Sequence, residues 1–409
     1  MKWLWLTLSL ASSVAAGPDR DGKYWIHGDG LSAAFVPYGA SISNLIFKDQ
    51  HGFERDLVVG FDNASYYSVD KSHPHLGGVP GRYANRIKNS SFVIDGRMYK
   101  VAANENPEPG SPDGVDTLHG GPDGWDWRNF SVVSHTANSV VFSIVDPAGK
   151  EGFPGQVLSL ISYALKGRDW DISMVAVATT EKTPIMLSSH TYWNLDGFAN
   201  DATRSALNHS LHLPYSGQRI GVDGILIPTG EILANAPGSV NDFWSQPRQI
   251  GAAFGDEALV GNCGSGCTGY GELLRPPCSP AHPHADAWRN SPQDNCFTVN
   301  RGPRGSFDWL DRPMATLSSD WSGIQLDIFT DQDAMQLYSC NGQNGTLPLK
   351  WTQGTTAWPR TVEKYGCVVL EVQDYIDGIN HPEWMRRQVF GPSDGPYVLR
   401  AKYRFSLKS

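Results

Sequence analysis

Basic charge is in short supply. The 409-residue chain sets 33 lysines and arginines against 42 aspartates and glutamates, a formal net charge of −9. Neither nucleic acid nor an anionic membrane surface is a natural partner for such a chain. Long apolar runs are missing too: the stretch from Trp3 to Leu10 falls well short of the ~20 residues a membrane helix needs, and no later segment qualifies. There is no low-complexity linker and no long helical period, so the pattern excludes a coiled coil and offers no point at which to divide the chain.

What the short apolar run does supply is an address. Lys2, the run itself, and Val14 with Ala16 form the charge, core and small-residue pattern of a secretory signal peptide over residues 1–16, with the mature chain beginning near Gly17. A secreted, extracellular protein is expected. Asn-x-Ser/Thr acceptors stand at Asn63, Asn89, Asn129, Asn208 and Asn344, where N-glycans are expected on the surface. An oxidising compartment favours disulfides among Cys263, Cys267, Cys278, Cys296, Cys340 and Cys367, with connectivity open. Fourteen tryptophans suit a carbohydrate partner, because flat rings pack on the C–H faces of sugars, although most aromatics serve a core.

Strand signals recur from end to end. "YVLRAKYRFSLK" alternates Tyr397, Leu399, Ala401, Tyr403, Phe405 and Leu407 against mostly charged neighbours, the period of a half-buried strand. "SFVIDGRMYKV" is two short runs joined by Asp95-Gly96, a hairpin turn. "SVVFSIV", "WDISMVAVATT" and "IQLDIFT" read as further strands. With 43 Gly and 27 Pro between short runs, the expected fold is all-β: a large antiparallel β-sandwich forming one domain over residues 17–409. The Cys- and Pro-rich stretch at about 255–292 reads as an inserted, disulfide-pinned surface loop, its rival being a metal site from Cys278, His282, His284 and Asp286.

Two strand-like stretches carry polar front faces. In "SSHTYWNLDGF", Ser188, His190, Tyr192 and Asn194 alternate with Ser189, Thr191, Trp193 and Leu195. In "GCVVLEVQDY", Val369, Glu371, Gln373 and Tyr375 alternate with Val368, Leu370 and Val372. "GRYANRIKN" presents Arg82, Asn85 and Arg86 after a glycine, and "DTLHGGPDGWDW" presents His119 before two glycines, where little side-chain bulk obstructs a ligand. Singly, the Glu371 strand reads first as the solvated face of a one-sided sheet, and the two glycine-flanked segments as structural turns.

Together "GRYANRI", "TLHGG", "SHTYWNL", "IPTGEI" and "LEVQDYIDGIN", which stand in that order from Gly81 to Asn380, resemble the aldose 1-epimerase (galactose mutarotase) family. The resemblance implies a galactose mutarotase-like sandwich with a sugar groove on one sheet. It also implies interconversion of the α and β anomers of free hexoses, with Glu371 as base and His190 as acid. At near-neutral pH an imidazolium donates a proton with little pKa adjustment.

By the same resemblance Arg86, Asn85, His119, Tyr192, Asp242 and Asp294 bind the sugar. Asn295 stands where the family carries histidine, and Trp193 is core. No metal, nucleotide or redox cofactor is needed, and the partner is a free monosaccharide. The alternatives are a secreted carbohydrate-binding protein without catalysis, an epimerase of a phosphorylated or otherwise modified sugar, which would want added basic residues, and a glycoside hydrolase, which would want two carboxylates.

Overall fold

The computed structural model describes residues 17–73, 75–253, 294–302 and 308–408. The signal-peptide reading of residues 1–16 and the loop reading of 255–292, with its rival ligand set, lie outside these.

Two antiparallel sheets dominate. The larger has nine strands and is centred on Tyr397–Leu407, Asp169–Ala178 and Val157–Lys166. Each of these long strands shows the two-residue burial alternation expected from its sequence; at the last strand's end, however, Leu407 is exposed. The smaller sheet has six strands in the order Tyr192–Trp193, Val368–Gln373, Ala334–Tyr338, Asp294–Thr298, Gln218–Val222 and Pro228–Ala234. A four-stranded sheet from Tyr24 to Asp56 completes the framework. The hairpin forms as read: Ile94 pairs with Arg97 across Asp95 and Gly96, whose φ of 50° and 79° are both positive, as a two-residue type I′ turn requires.

One hydrophobic cluster joins all three sheets. Val368, Leu370, Val372, Met335 and Leu337 from the back of the six-stranded sheet share it with Tyr163, Trp170 and Tyr403 of the nine-stranded sheet and with Phe35 and Leu45. Each such aliphatic side chain stabilises the fold by about 2 kcal/mol through burial. Trp193 is wholly buried and stacks on Tyr403 at 5.8 Å between centroids. The back of the six-stranded sheet is thus fixed against the core, and its front is left to carry polar groups.

The stretch Ser188–Phe198 departs from the expected continuous strand. Only Tyr192 and Trp193 join a ladder, opposite Val369 and Val368. Asn194 ends the run because its side chain closes a turn: Oδ1 accepts from the amides of Asp196 and Phe198, and Nδ2 donates to the carbonyls of Arg204 and Gly366. Asn194 therefore does not share a front face with His190.

Among the described cysteines, Cys340 and Cys367 form a disulfide. They sit just beyond paired strands 334–338 and 368–373.

Candidate active site

Glu371 stands mid-strand, in register with Gln336, and both face the front of the six-stranded sheet. Tyr192 is in register with Val369, two residues along on the same face. His190 precedes this ladder and is held by a neighbouring turn instead: its amide donates to Gly78 O (2.9 Å) and its carbonyl accepts from Gly77 N (3.0 Å). This backbone clamp brings His190 Nε2 to 3.6 Å from Glu371 Oε1. Both side chains are buried. Desolvation, aided by positive charge at His75, holds the His190 pKa well below that of an ordinary histidine. The expectation of an acid needing little adjustment is corrected on this point: the site makes the His190 imidazolium a stronger acid.

His119 closes the second side. Its φ of 52° turns the chain sharply, and its carbonyl lies so near Gly124 that a Cβ there would come within 2.3 Å. Gly120, at φ 87°, is equally tight, with a Cβ meeting Gly81 O at 2.1 Å. The glycines of "LHGGPDG" thus let this loop nest on the "GRYAN" segment. His119 Nδ1 accepts the Asn85 amide at 3.0 Å, which leaves the ring's proton on Nε2. Burial first, then the positive charges of His75, His190 and Arg86, push its pKa well below the histidine range, so His119 is a neutral Nε2–H donor.

His119, His190 and Glu371 offer ligand atoms within 4.8 Å of one another, spacing that a metal ion could draw together. The tautomer argues against that use. A metal needs the Nε2 lone pair, and the Asn85 amide leaves a proton there instead.

Arg86 is buried beside Glu105 (3.2 Å) and Asp116 (3.9 Å), and burial raises Asp116 to about 6. Arg86, Asn85, His119, His190, Tyr192 and Glu371 all line one cavity of about 320 Å³. Its walls also include His75, Glu105 and Tyr338, with Gln343, Asn344 and Thr346 at the far side. None of these six was picked out for the site from the sequence. His75 carried the same signal as His119, a histidine just ahead of a glycine pair, in "HLGG".

Three residues fall elsewhere. Asp242, expected at the sugar, closes a turn: its carboxylate accepts from Gly238 N (2.7 Å), Ser245 N (3.0 Å) and Ser245 Oγ (2.5 Å). Burial alone would raise its pKa, but these bonds outweigh it and hold the carboxyl low. Asp242 does not line the cavity, because the next residue, Phe243, is drawn into the core against Phe297. Arg82 is likewise structural, its guanidinium bound to Asp146 and to the carbonyls of Pro154 and Gly155. Asn295 pairs in register with core residue Leu337, so the departure from the family's histidine lies on the back of the sheet. Asp294 begins that strand, its Cα in register with Tyr338.

The arrangement sets a carboxylate and an imidazole within proton-transfer reach of one bound group, with a fixed N–H donor and a guanidinium beside them. Comparison with known proteins bears on this chemistry. The family model described as Aldose 1-epimerase matches residues 24–390. A protein described as a probable aldose 1-epimerase from Arthroderma benhamiae is 36% identical over 97% of this chain and 88% of its own length. Epimerase FSL3 of Gibberella zeae is 32% identical over the same shares, and the galactose mutarotase of Homo sapiens is 28% identical over 93% of each chain. The crystal structure of a GalM/aldose epimerase homologue from C. elegans superposes with a TM-score of 0.72 at 25% identity, covering 95% of this chain and 99% of that one. The chain belongs to the aldose 1-epimerase family.

Proposed function

We propose that this protein interconverts the α and β anomers of free hexoses such as glucose and galactose. Glu371 serves as base and His190 as acid. The observation that carries the reading is the 3.6 Å approach of His190 Nε2 to Glu371 Oε1 in a cavity of about 320 Å³, the small end of the ~300–1,000 Å³ typical of ligand sites. That is room for one sugar unit.

Glu371 takes the proton from the C1 hydroxyl. The C1–O5 bond breaks with its electron pair going to O5, and His190 Nε2–H protonates O5, leaving the open-chain aldehyde. Rotation about C1–C2 presents the aldehyde's other face. His190 then takes the O5 proton, O5 attacks C1, and Glu371 returns its proton to O1. Each half-reaction needs one proton on the Glu371–His190 pair, so the pair titrates as a unit. His119 Nε2–H and the Arg86 guanidinium supply donors to oxygens as charge develops.

Asn85 and Tyr192 shape the floor for the sugar, and Asp294, at the start of an interior strand of the same sheet, is retained as a sugar contact. A binding module without catalysis would have no use for a buried carboxylate–imidazole pair. A phosphosugar substrate is disfavoured because Arg82 is already bound to Asp146, leaving Arg86 beside two carboxylates.

The signal-peptide pattern supports a secreted, extracellular enzyme. The acceptors Asn89, Asn129, Asn208 and Asn344 are exposed and Asn63 is partly so, which suits N-glycans at these positions.

Freshly dissolved α-glucose or α-galactose, followed by polarimetry or NMR with the spontaneous rate subtracted, tests the reading. Acceleration of anomer exchange is expected. No acceleration with any free aldose would overturn it.

A further inference from the structure

His75 lines the cavity, and the mechanism gives it no task. Its ring lies 4.6 Å from that of His119, 5.5 Å from that of His190 and 5.9 Å from Trp127, centroid to centroid. Its Nδ1 is in close contact with Asp126 Oδ2. Asp126 is buried on the short helix Trp125–Trp127, and its Oδ1 has no hydrogen-bond partner among the described residues. A carboxylate taken out of water needs a cationic or donor partner, and His75 is the one it meets.

The pair is also locked in place. Gly78 and Gly39 admit the Asp126 segment so closely that a Cβ would come within 2.8 Å and 2.9 Å of it. The turn bearing His75 is the same one whose Gly77 and Gly78 clamp the His190 backbone.

We propose that His75, paired with Asp126, is a positioning residue for catalysis: its positive charge, fixed beside His190, sets the acidity of the proton delivered to the sugar's ring oxygen. The proposal rests on the acid role assigned to His190 above. The charged and titratable groups facing His190 are Glu371 from the sheet, Tyr192 from its own segment, His119 from the glycine loop and His75 from the clamp turn. Around His75 stand Asp126, His119 and His190, with the Lys71 ammonium 4.4 Å from the neighbouring Trp127 ring centre. Glu371 favours a proton on His190; His75, its ring centre 5.5 Å away, opposes it. Burial first, and then the charge of His75, hold the His190 ring well below the ordinary histidine range.

At ~5 Å, one unit charge shifts a neighbouring pKa by roughly 0.6 unit in a water-like dielectric and roughly 2.4 units at an effective dielectric of 20. The test compares the parent with His75→Gln, which removes the charge, His75→Lys, which restores it, and Asp126→Asn, which removes its partner. The readouts are the pH profile of kcat/KM and an NMR titration of the His190 ring proton.

His75→Gln is expected to move the high-pH limb and the His190 titration upward by about one pH unit, with His75→Lys returning both towards the parent, and Asp126→Asn, which takes away the anion that keeps a proton on His75, to move them the same way by less. Unchanged titration in a folded His75→Gln protein, or a His75→Lys protein that matches His75→Gln, would overturn the proposal. Should Asp126→Asn fail to fold, the His75 pair decides alone. The NMR titration requires no turnover, so an inactive parent would refute the epimerase reading while leaving the His75 effect measurable.

Discussion

Nε2 of His190 lies 3.6 Å from Oε1 of Glu371, although one residue comes from an unpaired extended segment and the other from the middle of a sheet. The antiparallel ladder that sets Tyr192 opposite Val369 points His190 towards Glu371, and the backbone clamp at Gly77 and Gly78 holds it there.

If this pair carries the protons, removing either half should stop most of the catalysed reaction. Glu371→Gln and His190→Asn are each expected to lower kcat by roughly 10²–10⁴-fold, the usual worth of a general acid or base. Circular dichroism should show an intact fold. Near-parental polarimetric rates in either variant would end the assignment.

Replacing His119 by phenylalanine removes the Nε2–H donor that the Asn85 amide has fixed. The loss should fall mainly on kcat, at about 10–100-fold, because the donor strengthens as charge grows on the ring oxygen. A change confined to KM would instead mark His119 as a ground-state contact.

Stability should depend on pH through the buried histidines. His119 and His190 have their pKa values lowered by burial and neighbouring positive charge in the fold, whereas in the unfolded chain each takes up a proton below about 6.5. Their contribution is therefore complete above about 6.5 and is lost as pH falls from there towards their depressed folded values. Asp116 and Asp377, raised to about 6 by burial, act in the opposite sense, losing stability as pH rises from about 4 to 6. Thermal melts can separate the two: in His190→Asn the drop in Tm from pH 7 to pH 5 should be smaller than in the parent. Parallel curves would contradict this.

Asp242→Ala should weaken the fold and spare the chemistry. Loss of its turn-closing bonds is expected to cost about 1–2 kcal/mol in denaturant unfolding, with kcat/KM for hexoses within about twofold of the parent. A large rise in KM with unchanged stability would return Asp242 to the sugar.

Much of this molecule could be read from alternation alone. Val368 to Tyr375 showed which residues face the core and which face the front, because a two-residue period permits one answer once the apolar side is known. The strand from Tyr397 and the Asp95-Gly96 turn were legible for equally local reasons. Asp242 was misplaced because a carboxylate that caps a turn and one that binds a sugar look alike in sequence. The bonds to Gly238 and Ser245, and the burial of Phe243, separate them.

Asn194 failed in the same way, as its side chain bonds to Arg204 and Gly366, partners that no local pattern reveals. His75 was passed over although it shares the His119 signal, because what gives it meaning is Asp126, brought near by packing. The acidity of His190 was equally hidden, since desolvation and a neighbouring charge are properties of the assembled site.

The bridge between Cys340 and Cys367 joins the ends of two paired strands that carry Tyr338 and Glu371, and the chain it encloses supplies Gln343, Asn344 and Thr346 to the cavity wall. In the chain-entropy picture a closure of this size is worth about 3–4 kcal/mol. One rim of the groove is therefore built by oxidation, and material produced in a reducing cytoplasm would carry a slack wall beside an intact catalytic floor.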